Sequence, residues 1–240
     1  MYFQRILSVP WNIRQALAVF LVPWVLLPLA VVVWLKVLEP AFPTAQVWLQ
    51  AYDAGDPVAS FAIVLLDLAA SYFIIGYYLR KYRVTLRSLG LRPFSFWRAL
   101  WNVLLIMIFF SVLIGVVYTV LTFLSPGFNA NQPQSNEFIN VPSGLQPISL
   151  LALVIIPPLV EEPVFRGFMF PAFAKRFGLA GGAIISSLLF GFAHLQANVD
   201  VYTFILGLLL CFLYVRLGSI IPGIALHMLN NYIAYTAINK

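Results

Sequence analysis

Seven apolar stretches divide this 240-residue chain, and most are long enough to cross a lipid bilayer. They cover residues 16–36, 58–79, 99–124, 148–176, 179–196, 201–215 and 219–238, and the sixth is short. A span needs roughly 20 mostly apolar residues, because the hydrocarbon core is about 30 Å thick and a helix rises about 1.5 Å per residue. Lipid offers no hydrogen bonds, so each crossing segment must satisfy its own backbone, and a helix does that. The expected fold class is therefore all-α: a polytopic transmembrane helical bundle of seven spans, with residues 1–240 as a single membrane domain. Composition points the same way. The chain is 62% hydrophobic and 9% charged, whereas a soluble domain is near half apolar and a quarter charged.

The charges add an orientation. Arg5 and Arg14 precede the first stretch, and Arg80, Lys81, Arg83, Arg87, Arg92 and Arg98 lie between the second and third. Lys175 and Arg176 follow the fourth stretch, and Arg216 follows the sixth. If the crossings alternate, all of these fall on one side. The opposite loops carry Glu39, Asp53, Asp56, Glu137 and Asp200, with Lys36 and Lys240 as their bases. Cytoplasmic loops accumulate Lys and Arg, so a multi-pass cell-membrane protein with a cytoplasmic N-terminus is expected. The net charge of +6 is thereby accounted for, and nucleic-acid binding is not expected, since no basic face with interleaved aromatics exists. The partner expected on these grounds is the lipid bilayer. Residues 1–15 carry Trp11 and read as an interfacial helix rather than a cleavable signal. The stretch 125–147, rich in Asn, Gln, Pro and Ser, reads as an irregular connector. The lone Cys211 lies in an apolar run and reads as a small core residue.

A charge inside a bilayer costs at least a few kcal/mol, so polar residues within the spans carry the most information. They are Asp67, Glu161, Glu162, Arg166, His194, His227, Asn230 and Asn231. Glu162 and Arg166 are four apart and share a helix face, so they can pair. Glu161 points about 100° away and needs a different partner. Pro163 lacks an amide hydrogen, and Pro157-Pro158 interrupts the ladder just before the glutamates, which frees backbone groups beside them. His227 and Asn231 are also four apart. At about 1.5 Å per residue, Glu161, His194, His227 and Asn231 lie roughly 14–24 Å in from the same side. Three helices thus bring a carboxylate, two imidazoles and an amide to one layer.

This inventory suits amide hydrolysis without a covalent nucleophile, so a peptide or membrane-protein substrate is expected. Glu161 with His194 could hold and deprotonate a water. His227 and Asn231 could donate hydrogen bonds to the oxygen that becomes negative on attack. There is no Ser-His-Asp elbow, no His-Glu-x-x-His helix and no Cys cluster. No cofactor is expected. Zinc on the two histidines and a glutamate is the weaker alternative, because Asn231 is a poor zinc ligand and a good hydrogen-bond donor. A non-catalytic protein that binds a peptide in the same cavity is the other alternative.

Glu161-Glu162-x-x-x-Arg166, Phe190-x-x-x-His194 and His227-x-x-x-Asn231, in that order on separate helices, resemble the CPBP family. This family joins the CAAX prenyl endopeptidases to the bacteriocin-processing, or Abi, proteins. Leu89-Gly90-Leu91-Arg92 is also similar to its members. The resemblance implies a bundle of about eight helices with a catalytic core over 145–238. It also implies a glutamate-type intramembrane endopeptidase, with a non-catalytic bacteriocin-immunity protein as the alternative. Carried over, Glu161 is the base, His194 its partner on the water, and His227 with Asn231 the oxyanion hole. Glu162 and Arg166 support the site.

Overall fold

The structure is a computed structural model that describes residues 2–38, 41–130 and 136–238. Glu39 and Lys240, part of the loop-charge comparison, lie outside the described residues. The described secondary structure is entirely helical. In chain order the helices are α1 (Tyr2–Leu7), α2 (Ile13–Leu21), α3 (Leu27–Leu38), α4 (Pro43–Asp53), α5 (Pro57–Lys81) and α6 (Phe96–Leu124). They continue as α7 (Gln146–Leu150), α8 (Ile156–Glu161), α9 (Phe170–Phe192), α10 (Ala197–Leu217) and α11 (Ile221–Ile238). Three wider, π-helical stretches join neighbours without breaking the rod: Val22–Leu26, Leu151–Ile155 and Glu162–Met169. Each adjoins a proline, which removes a donor from the i→i−4 ladder and lets the register slip.

The molecule is a polytopic, all-α membrane bundle. Large apolar side chains point outward along the long helices: Phe73, Phe123 and Leu124 are each at least 70% exposed. Only lipid can cover such a surface. The membrane-embedded polar residues turn inward instead, and the last third of the chain forms the interior. Five helices among the described residues are long and apolar enough to cross, not seven. All seven stretches are helical, and two physical facts reduce the number. The 50-residue candidate Ser143–Phe192 joins the fourth and fifth stretches through Gly178. That residue has φ 75° and ψ 169°, which is not helical. A Cβ placed on Gly182 would lie 2.6 Å from the Ala174 backbone nitrogen, although eight residues of straight helix separate atoms by about 12 Å. The rod therefore turns sharply at Gly178, where only glycine takes this backbone cheaply. The other missing span is α11, an 18-residue helix whose hydropathy is lowered by His227, Asn230 and Asn231.

The N-terminus also differs from an interfacial helix. Only Tyr2–Leu7 is helical before residue 13, and Trp11 is fully buried. Its indole stacks on Phe168 at 4.2 Å and donates to the Phe168 carbonyl at 2.9 Å. The segment is thus a plug against the π-helical stretch, since an indole can fill an apolar pocket only where its N–H finds an acceptor. The connector after α6 contains the short turns Asn136–Phe138 and Ser143–Leu145, and its residues 131–135 lie outside those described. Within it, buried Ser149 donates to the Phe138 carbonyl at 2.5 Å and ties the loop to α7. Cys211 is buried, a core residue of α10.

The basic segments come together in space. Arg216 reaches the Asn102 side-chain oxygen at 2.6 Å, Ser219 donates to the Arg92 carbonyl at 2.7 Å, and Ile220 N–H donates to Gly90 at 2.9 Å. Lys175 donates to the Val9 carbonyl at 2.8 Å. Leu89, fully buried, fits against Gly167 of the π-helical stretch, where an added Cβ would lie 2.8 Å from the Leu89 carbonyl oxygen. Backbone cannot yield there. Gly167→Ala is expected to destabilise the protein by about 1–3 kcal/mol through overpacking, read as a lowered midpoint of thermal unfolding in detergent.

Candidate active site

The site forms where the broken rod of residues 146–177 meets α11. Glu161 is the last residue of α8, and Glu162 opens the π-helical stretch. Glu162 and Arg166 are both about 1% exposed and pair at 3.0 Å, as their spacing predicts. The Arg166 guanidinium lies 4.2 Å from the centre of the Phe190 ring and 5.8 Å from that of Phe165. Those rings shield the ion pair, and their faces attract a cation. Phe20 and Trp24 close the far side of Phe165 at 5.5 and 5.2 Å.

His227 of α11 joins this pair from 65 residues away in sequence. Its Nδ1 lies 3.0 Å from Glu162 Oε1, and its Nε2 lies 3.5 Å from Glu161 Oε2. A carboxylate only accepts, so Nδ1 carries a hydrogen toward Glu162. One imidazole therefore bridges the two adjacent glutamates even though they leave the helix in different directions. The Glu161 oxygen nearest His227 and the other oxygen of Glu162 are satisfied less well. Glu161 Oε2 and Glu162 Oε2 are buried and have no hydrogen-bond partner among the described residues.

His194 follows the last turn of α9. Its Nδ1 lies 2.9 Å from the Phe190 carbonyl and 3.3 Å from the Gly191 carbonyl. Carbonyls accept only, so Nδ1 holds the hydrogen and Nε2 is the nitrogen left for other work. The Phe190 ring meets His194 edge-on at 5.3 Å and His227 at 5.7 Å. Phe190 thus touches both histidines and the guanidinium, which gives a physical reason for its four-residue spacing from His194.

Asn231 and the prolines explain one another. An α-helix would satisfy the Leu153 carbonyl with the N–H of residue 157, and a π-helix with that of residue 158. Both are proline and have none. Asn231 Nδ2 fills the vacancy at 3.0 Å. The expectation that Pro157-Pro158 frees backbone groups near the glutamates thus has a specific partner. Pro163 likewise cannot donate to Leu159, and the Tyr72 hydroxyl does so at 2.7 Å. The side-chain oxygen of Asn231 accepts from Asn230 Nδ2 at 3.3 Å, and Asn230 in turn accepts from the Tyr202 hydroxyl.

The structure therefore brings Glu161, Glu162, Arg166 and His227 into direct contact. It holds His194 to them through Phe190 and places Asn231 one turn further along α11. Sequence reasoning missed Tyr202 and Tyr72, which are ordinary aromatics within apolar runs, and it assigned nothing to Asn230. Asp67 stands apart: its Oδ1 is buried with no hydrogen-bond partner among the described residues. Among those residues no group of three His, Cys, Asp or Glu is spaced to hold a metal ion.

Comparison with known proteins falls on this region. Residues 143–233 match the family described as type II CAAX prenyl endopeptidase, Rce1-like. The human protein "CAAX prenyl protease 2" is 29% identical over 35% of this chain and 32% of its own length. An "uncharacterized 24.3 kDa protein" of Escherichia coli is 37% identical over 34% of this chain and 40% of its own. The chain therefore spans only about a third to two fifths of these curated relatives. No solved structure matches it. The matched segment contains Glu161, Glu162, Arg166, His194, His227 and Asn231, so the likeness to the type II CAAX prenyl endopeptidase, Rce1-like family falls on the polar cluster.

Proposed function

We propose that this protein is an intramembrane endopeptidase in which Glu161 and His194 activate a water, and His227 and Asn231 stabilise the oxyanion. The observation that carries the reading is His227 held between the buried Glu162 and the half-buried Glu161, beside an ion-paired arginine, inside a lipid-covered bundle. Glu161 takes the proton as the water attacks and passes it to the neighbouring His227 Nε2, which thereby gains a hydrogen to donate. Water attacks the peptide carbonyl carbon. The carbonyl oxygen becomes negative and takes hydrogen bonds from His227 Nε2 and the second N–H of Asn231. The stored proton then passes to the departing amine as the C–N bond breaks. His194 Nε2, free of intrahelical bonds, accepts from the attacking water.

Tyr202 and Asn230 act as positioning residues in this scheme. Each link of the chain Tyr202, Asn230, Asn231, Leu153 donates in the same direction. The chain fixes which end of the Asn231 amide faces the site and leaves one N–H pointing onward. Tyr202→Phe is expected to lower kcat about 10-fold, since a displaced donor gives up part of the roughly 10²-fold contribution of an oxyanion contact, with KM nearly unchanged. An equal rise in KM with kcat intact would assign Tyr202 to substrate binding instead.

The same proposal takes the N-terminus as cytoplasmic, since the bases at residues 14, 92, 175 and 216 then share the side where Lys and Arg accumulate. The test of the function is cleavage of a peptide library by the purified protein, with and without a chelator. Cleavage that survives chelation supports the reading. Loss that zinc restores points to a metal enzyme, and no cleavage under any condition favours a non-catalytic binding protein.

A further inference from the structure

We infer that the cleft between the start of α2 and the first two turns of α9 is a binding site for the phosphate headgroup of an anionic phospholipid. The cleft is a cavity of about 470 Å³ lined by Asn12, Ile13, Arg14, Ala172, Lys175 and Arg176. Three of its six lining residues are cations, and none is an acid. Among the described residues the ion pairs of this protein all lie at Glu161 and Glu162, so Arg14, Lys175 and Arg176 have no carboxylate. Their charge faces the cavity without compensation.

The cationic wall is anchored. Lys175 Nζ donates to the Val9 carbonyl at 2.8 Å and the Trp11 carbonyl at 3.4 Å. An ammonium has three donors, so one is left for a ligand while the charge stays in place. Arg14 sits on a helix whose first turn is held by reciprocal bonds between Asn12 and Gln15, at 3.2 and 3.0 Å. Guanidinium groups bind phosphate oxygens in pairs, which suits two arginines flanking a lysine.

Position selects the lipid over other phosphates. Arg14 begins the membrane-capable helix Ile13–Trp34. Arg176 lies two residues before the turn at Gly178, where the rod reverses. Both ends mark the level where hydrocarbon gives way to headgroups. The lining also has an apolar part, the half-buried Ile13 and the buried Ala172. A phosphate and an apolar stem match this mixed lining. The inference is independent of the proposed catalysis.

The test uses the full-length protein in a neutral detergent, offered equal amounts of phosphatidylglycerol and phosphatidylcholine with the same acyl chains. Native mass spectrometry counts the retained lipid. One phosphatidylglycerol should remain bound, and the exposed pair Arg14→Gln/Arg176→Gln should lower its retention at least 10-fold. Arg80→Gln/Arg83→Gln, which removes the same charge elsewhere on the basic face, should not. Equal retention in the wild type and the cleft variant would overturn the site. So would equal loss in the control variant, which would mean a diffuse surface potential. Separate arms add inorganic phosphate or a peptide with a free C-terminal carboxylate. Displacement of the lipid by either at micromolar concentration would reassign the cleft to that ligand.

Discussion

Glu161→Gln is expected to abolish peptide cleavage, lowering kcat by about 10³-fold or more, within the range that general bases contribute. The argument rests on shape and charge. Glutamine keeps the length of the side chain and can still contact His227, whose Nε2 lies 3.5 Å from Glu161 Oε2. What it loses is the capacity to take a proton. Glu162 cannot replace it, because its Oε1 is already committed to Arg166 and to His227, each at 3.0 Å. The folded protein should survive, since no hydrogen bond to Glu161 Oε2 is lost. The measurement is initial rate against substrate concentration for any peptide the wild type cleaves, beside thermal unfolding of both proteins. A variant with more than a tenth of wild-type kcat would remove Glu161 from the role of base.

Arg166→Leu is expected to cost about 3–5 kcal/mol of stability, the penalty for leaving a buried charge without its partner. Glu162 would keep only His227, in a pocket about 1% exposed. The Phe190 ring would lose the cation 4.2 Å from its centre, a smaller term of about 1–2 kcal/mol. Pairing the change with Glu162→Leu should restore much of the stability, because two apolar groups can replace a buried ion pair at little net cost. Activity should stay absent in the double variant, for His227 would have lost the carboxylate that orients its ring. Unfolding midpoints of the wild type, both single variants and the double variant give the coupling. If Arg166→Leu is as stable as the wild type, the pair is not what holds this corner together.

Much of the fold was legible because lipid enforces a simple rule. Every apolar stretch expected from the sequence is helical, and the boundary placed between residues 176 and 179 coincides with the turn at Gly178. The span count was less legible. It depends on how far a rod continues through a bend, and α11 carries its polar residues where hydropathy expects apolar ones. Trp11 was misassigned because an indole suits a membrane interface and a wet-edged pocket equally. Only the Phe168 carbonyl, 157 residues away, distinguishes the two.

The site divides in the same way. The spacing of Glu162 and Arg166 contained their ion pair, and the prolines at 157, 158 and 163 contained the freed carbonyls, because both effects act within one helical turn or two. The occupants of those carbonyls, Asn231 and Tyr72, come from other helices. So does His227, which meets both glutamates rather than standing apart as an oxyanion donor alone. Local chemistry along the chain determined which groups were too costly to leave unpaired in lipid. Which partner satisfied each of them was decided only by the packing of α5, α10 and α11 around the broken rod, because a hydrogen bond between distant residues has no periodicity in sequence.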